Sequence, residues 1–304
     1  MLIAAGSRYV AMGSSAAAGP GIPHRVPGSP RQAGRSTGNY AHRVSRALRL
    51  DLHDVSFSGA TTADLLWPSA YYGQPAQLDA VTPATRLVTL TVGGNDVGYV
   101  PRLIAASMPW PLRTLPRFAK PVAAFGDPDA TEERFARLAA NFAAIARRVR
   151  QQAPGCRVIA VDYLTILPPH GTPSGGQPPA DVVTWGRATA ARLTTVTREA
   201  ARAAGWDYIP VSAASADHHA WSAEPWTRRF RPALRDGAPY HPNAAGMAAV
   251  ADLVRAALAP PPLPACRPSA GRTADPGSAP TTRHNSRRDR VCPRASGAPG
   301  AGGA

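Results

Sequence analysis

The run "TRLVTLTVGGND", Thr85 to Asp96, limits the fold more than any other part of the chain. Leucine, valine and threonine fill it without the apolar–polar alternation of a half-exposed strand, and two glycines stop it sharply. A strand that is apolar on both faces suits a parallel sheet covered by helices on each side. The flanking sequence agrees. "SRYVAM" reads as a short buried strand, "LHDVSFSG" as a second one ending in a serine–glycine turn, and "CRVIAVDYL" and "WDYIPV" as two more. Helical patterns lie between them. Asn39 to Leu50 carries Tyr40, Val44, Ala47 and Leu48 at helical spacing. A later helix is capped by Asp129, with Glu132 at its third position, and presents Phe135, Leu138, Phe142, Ile145 and Val149 as one stripe. Ala180 to Ala204 reads as a helix, and "HPNAAGMAAVADLVRAAL" as a last one running to about Leu258. Residues from Pro101 to Pro128, rich in proline and aromatics without a clean period, read as a loop excursion or lid. Strands alternating with helices predict an α/β sandwich with a mostly parallel sheet, whose sites lie at the carboxyl ends of the strands.

The chain of 304 residues is long enough for one large domain, and 44% hydrophobic content provides a core. That domain is expected to span residues 1–259. From Pro260 onward the sequence is proline, glycine, serine and arginine with little apolar content, so residues 260–304 are expected to be a disordered basic tail. The net charge of +15 is carried almost wholly by scattered arginines, and Lys120 is the sole lysine. No basic helix with interleaved aromatics, zinc-finger spacing or RNA-recognition signature accompanies it, so no specific nucleic-acid partner is expected. Cys156 adjoins an apolar strand and reads as a buried thiol. Cys266 and Cys292 fall in the tail, and the chain lacks a CxxC pair. No signal peptide and no apolar stretch of about 18 residues is visible. The expectation is a cytoplasmic protein, or a secreted one if the start is misassigned.

The chemistry-bearing stretch is "YVAMGSSAAAGPGIP", Tyr9 to Pro23. A phosphate loop would need a glycine and a lysine at set spacing after Gly13, but Ala18 and Gly19 stand there. A GxGxxG fingerprint does not fit "GSSAAAG" either. The alternative is a nucleophilic serine, which needs a base and preorganised donors for the oxyanion. Ser15 ends the first strand. The Ser58–Gly59 turn and the amide of Asn95 end the next two, and His241 precedes the last helix in "PYHPNAAG". All four belong to one edge of the inferred sheet.

This order resembles the SGNH, or GDSL-like, hydrolase family over about Arg8 to Leu258. "GSSAAAG" matches its first block, "SFSGATTADLL" its second, "GGND" its third and "YHPNAAGM" its histidine block. The resemblance implies a three-layer α/β/α sandwich with a flavodoxin-like sheet and a serine esterase or lipase of the actinobacterial kind. Ser15 would be the nucleophile and His241 the base. The N–H groups of Ser15 and Gly59 and the amide of Asn95 would form the oxyanion hole, with no metal or cofactor. Two positions depart from the family pattern. Ser14 replaces the usual aspartate, and Ala238 stands where an aspartate normally orients the histidine. By the resemblance, the Ala238 carbonyl takes that role in a Ser–His dyad, with Asp236 as the alternative orienter.

The remaining polar residues have blander readings. His218 and His219, in "DHHAW", read as loop packing rather than metal ligands. Asp96 reads as support for the Asn95 turn. Asp162 and Tyr163 either line the cleft or are structural, and Trp110, Trp185, Trp221 and Trp226 are core or lid aromatics. The substrate expected is a small-molecule or lipid ester. The alternatives are a carbohydrate deacetylase, thioesterase or phospholipase, and a non-catalytic ligand-binding member of the same fold.

Overall fold

The apolar runs form the sheet. In the computed structural model, which describes residues 3–69, 71–117, 119, 127–170, 175–231 and 238–259, β1 is Arg8–Gly13, β2 Asp51–Asp54, β3 Thr85–Thr91, β4 Arg157–Val161 and β5 Asp207–Ile209. They pair in the order β2-β1-β3-β4-β5, and every pairing is parallel. β3 lies at the centre. Leu87, Val88, Leu90 and Thr89 are buried on its two faces, which explains why its sequence lacks alternation. β2, on the edge, is the half-exposed strand of the set.

Helices cover both faces. Tyr40–Leu48 and Ala244–Leu258 pack together on one side, where Tyr40, Val44, Met247 and Val254 meet Tyr9, Leu87 and Ile159. Pro128–Gln152 and Ala180–Ala204 cover the other, where Phe135, Leu138, Phe142 and Leu193 meet Val10, Val88 and Leu90. The expected stripe on the Pro128–Gln152 helix is buried throughout. Its cap is Asp127 rather than Asp129: the Asp127 carboxylate accepts from the Asp129 and Ala130 amides, and Pro128 opens the helix. In Tyr40–Leu48, Ala41 joins Tyr40 and Val44 in the core, whereas Ala47 faces solvent.

The segment read as a lid is partly core. Tyr99–Ser107 is a helix that buries Tyr99, Val100, Leu103 and Ala106. Pro101 sits in its first turn, where a missing N–H costs no helical hydrogen bond. The Arg102 guanidinium lies 4.3 Å over the Trp185 ring. Trp110, in the turn Trp110–Arg113, is 71% exposed. Residues 118 and 120–126 fall outside the described residues, as does the proposed tail, 260–304, with Cys266 and Cys292. Cys156 is half-buried, and burial pushes its thiol up to about 12. No helix among the described residues is long and apolar enough to cross a membrane.

One contact fixes where the sheet opens. β1 ends at Gly13, with φ 135°, and a Cβ there would lie 2.3 Å from the Thr91 carbonyl oxygen of β3. Only glycine permits that approach. Gln77 seals the same residue, accepting its N–H at 2.7 Å and donating to its carbonyl at 3.0 Å. Gly13→Ala combines a backbone clash with a disfavoured φ and is expected to destabilise the fold by about 3 kcal/mol or more. Urea denaturation with unchanged m would measure this, and a loss below about 1 kcal/mol would show that the strand ends separate easily.

Candidate active site

The ends of β1 and β3 bring Ser15 and Asn95 to one cleft, which His241 joins from the segment before the last helix. In the order 2-1-3-4-5, connections leave β1 and β3 toward opposite faces, and a crevice opens between their carboxyl ends. Ser14 closes β1: its N–H donates to the Thr91 carbonyl at 2.9 Å. Ser15 then begins a one-turn helix, α1 (Ser15–Ala18), closed by Gly19 in the left-handed region. A residue in this position has no intrahelical acceptor for its N–H. Among the described residues the Ser15 N–H has none, and the residue is 9% exposed.

His241 reaches Ser15 from the far end of the chain. Asn243 caps the helix Ala244–Leu258, accepting from the Gly246 N–H at 2.9 Å, and so fixes the chain entering that helix. A short antiparallel bridge holds the histidine segment: Arg228 N–H donates to the His241 carbonyl, and Tyr240 N–H donates to the Arg228 carbonyl. The His241 Nε2 lies 2.7 Å from Ser15 Oγ, and its Nδ1 lies 2.7 Å from the Pro239 carbonyl oxygen. A carbonyl only accepts, so Nδ1 carries the proton. Nε2 is therefore the lone-pair nitrogen that receives the Ser15 hydroxyl hydrogen. Burial lowers the imidazole below its ordinary value. The Pro239 hydrogen bond works against this, and the Arg228 charge adds to the lowering.

The orienting carbonyl is thus that of Pro239, not Ala238 as expected. Tyr240 adopts φ 61°, reversing the chain so that the carbonyl two residues before the ring turns back to it. The left-handed conformation costs a non-glycine residue about 1–2 kcal/mol, and surrounding bonds hold it. The Tyr240 hydroxyl meets Ser107 Oγ at 2.6 Å, and its ring is buried beside Trp221. Asp236 lies outside the described residues.

Asn95 follows β3. Its side-chain Nδ2 donates to the Ala60 carbonyl at 2.9 Å, which fixes the amide's orientation and leaves its second hydrogen for another acceptor. Ser15, Asn95 and His241 line the same cleft, with Tyr163, Val161 and Ile166 as neighbours. Gly59 is not part of that lining. It adopts φ 86°, and a Cβ there would lie 2.0 Å from Tyr72 Oη. Its loop is nonetheless tied to the site. Phe57 N–H donates to the Gly13 carbonyl, Ser58 N–H to the Ala33 carbonyl, and Ala60 receives Asn95. The Gly59 N–H has no acceptor among the described residues.

Asp96 sits beside the site without entering it. Its carboxylate accepts the Thr62 N–H and hydroxyl, pinning the helix Thr62–Leu66 to the β3 turn, and burial raises its pKa. Asp162 accepts from Tyr208, from the Ser212 amide and from the Ser212 hydroxyl. His218 bonds the Glu224 carbonyl and stacks on Trp226, and His219 Nδ1 accepts the Trp221 N–H. Gln77 and Tyr240 carry the site's backbone yet escape sequence reasoning. Nothing in "PAQLDA" or "GAPYH" signals a bidentate side chain or a left-handed tyrosine.

A family model described as the GDSL-like lipase/acylhydrolase family matches residues 11–249. The chain is 34% identical over 256 residues to a protein named Lipase 2 of Streptomyces coelicolor, covering 78% of this chain and 81% of that protein. The solved phospholipase A1 of Streptomyces albidoflavus superposes with a TM-score of 0.68 at 24% identity, over 83% of this chain and 99% of the other. The extracellular lipase of Streptomyces rimosus superposes with a TM-score of 0.66 at 23% identity, again over 83% and 99%. Those two structures establish the three-layer α/β/α fold. With the family match spanning the strand ends described above, the chain belongs to the GDSL-like lipase/acylhydrolase family.

Proposed function

We propose that this protein is a serine esterase or lipase that cleaves carboxylic esters through an acyl-enzyme on Ser15. The observation that carries the reading is the Ser15 Oγ–His241 Nε2 contact of 2.7 Å, with the opposite ring nitrogen held by a carbonyl. The names of the relatives as lipases support it.

In this mechanism His241 Nε2 takes the Ser15 hydroxyl proton as Oγ bonds to the ester carbonyl carbon. The carbonyl π electrons move to oxygen. The resulting oxyanion is received by the Ser15 and Gly59 N–H groups and the free hydrogen of the Asn95 amide. Collapse breaks the bond to the alcohol oxygen, which leaves with the proton from His241. Water then repeats the sequence, giving up a proton to His241, adding to the acyl carbon and expelling Ser15 Oγ. The Pro239 carbonyl keeps Nδ1 protonated throughout, so Nε2 always faces the serine. A neutral acceptor stabilises the imidazolium less than a carboxylate would. That cost falls on rate, and the tautomer is unaffected.

The absence of an orienting aspartate would favour a non-catalytic ligand-binding protein. The Pro239 bond supplies an acceptor in its place, which favours the catalytic reading.

Three outcomes test this. On p-nitrophenyl esters from acetate to palmitate, wild type is expected to turn over and Ser15→Ala is expected to be inert. Equal activity of the two would remove Ser15 from the role, and an inert, folded wild type would favour a binding protein. Asn95→Ala is expected to lower kcat about 10²- to 10³-fold with little change in KM; an unchanged kcat would dismiss Asn95 as a donor. The third concerns pH. His241 must be neutral to act as base, and its pKa is lowered, so the acid limb of kcat/KM is expected below the ordinary histidine value of 6.5. Arg228→Gln removes a charge that disfavours the imidazolium and should move that limb upward. A limb that stays put would mean Arg228 does not act on His241.

A further inference from the structure

The half-buried Tyr163 hydroxyl lines the cleft and has no part in the serine mechanism. Tyr163 follows β4, and a Cβ on Gly94 would meet its Cζ and Oη at 2.9 Å. Its oxygen accepts the Gly94 N–H at 2.9 Å and lies 3.1 Å from Ser14 Oγ. Ser14 Oγ has an acceptor in the Thr91 carbonyl at 3.4 Å. Either hydroxyl can donate in the Ser14–Tyr163 pair. The contacts run without a break from the Gly94 N–H to the Tyr163 oxygen, from there to Ser14 Oγ, and from Ser14 to the end of β3. Burial raises the phenol to about 12, so it keeps its hydrogen at neutral pH.

Each partner immediately precedes a residue of the site: Gly94 precedes Asn95, and Ser14 precedes Ser15. We infer that Tyr163 is a positioning residue, whose hydroxyl fixes the Asn95 amide relative to the Ser15 oxygen and N–H. This rests on the roles given to Ser15 and Asn95 above. It also gives a physical place to the serine at position 14. An ionised carboxylate there could only accept, whereas a serine hydroxyl can also donate. A tyrosine that merely filled space would act through its ring. A positioning tyrosine acts through its oxygen, and a displacement of about 1 Å in a catalytic group can cost about 10²-fold in rate.

The experiment compares wild type, Tyr163→Phe, Ser14→Ala and Asn95→Ala, with the double variant Tyr163→Phe/Asn95→Ala, on p-nitrophenyl butyrate. Tyr163→Phe keeps the ring. It is expected to lower kcat about 10- to 100-fold with KM within about twofold. The inhibition constant of phenylboronic acid, which forms a tetrahedral adduct on a serine, should rise in step with the loss in kcat. In the Asn95→Ala background the same change should cost less than about threefold, because the group being positioned is gone. Ser14→Ala should also lower kcat without raising KM, and it serves as the test if Tyr163→Phe fails to fold. The inference is overturned by a folded Tyr163→Phe with kcat within twofold of wild type, or by a loss that multiplies in full with Asn95→Ala. A rise in KM with the boronate constant unchanged overturns it too. An inactive wild type would instead overturn the esterase reading, and this inference with it.

Discussion

The contact between Gly13 and Thr91 is the constraint on which the rest of the site depends. With no side chain at Gly13, the ends of β1 and β3 press together, and a Cβ would come within 2.3 Å of the Thr91 oxygen. That approach lets the Thr91 carbonyl receive the Ser14 N–H, which turns the chain into α1 and points Ser15 across the crevice. The Gly13 carbonyl receives Phe57, which draws in the loop carrying Gly59. The Ala60 carbonyl of that loop then receives Asn95. Three segments from three strands are therefore locked by backbone groups, with side chains from Gln77 and Tyr163 closing the remaining valences. As the proposed oxyanion donors, groups held this way need little reorganisation when charge develops beside them.

The histidine belongs to a different kind of structure. It sits in a two-residue bridge, held by Arg228 on one side and Tyr240 on the other, and its ring is oriented by its own chain. Burial and the nearby guanidinium both favour the neutral ring, while the carbonyl favours the charged one. In the proposed mechanism, this balance keeps the base available at the cost of a less stabilised imidazolium. Stability follows the same sign. As pH falls below 6.5 the unfolded chain takes up a proton that the buried ring resists, so His241 subtracts from stability in acid.

Much of this was legible in the sequence. The doubly apolar β3 announced a covered parallel sheet, and the serine, asparagine and histidine at element ends announced one cleft, from whose lining Gly59 is absent. What failed did so for local reasons. Pro101 suggested a loop, yet a proline in the first turn of Tyr99–Ser107 is harmless, and the apolar spacing of Tyr99, Leu103 and Ala106 was the stronger signal. Asp129 drew attention from Asp127, although Pro128 between them marks a helix start. The Ala238 carbonyl was the acceptor that the family resemblance implied. The left-handed φ of Tyr240 moved the role to Pro239, and no residue type at 240 advertises such a conformation. The clamp by Gln77 joins groups 64 residues apart and leaves no trace in a local pattern.

The use of a peptide carbonyl to hold His241 has a consequence for how this centre changes over generations. A carboxylate orienter is encoded by one codon and is lost by one substitution. A backbone orienter is carried by every amino acid that can occupy position 239, so the side chains at 238 and 239 are free to drift while the acceptor persists. Heredity here acts on a conformation, and its vulnerable point moves to the tyrosine at 240, whose ring and hydroxyl anchor the turn. Surveys that recognise such hydrolases by an aspartate three positions before the histidine would pass over a lineage that had made this exchange.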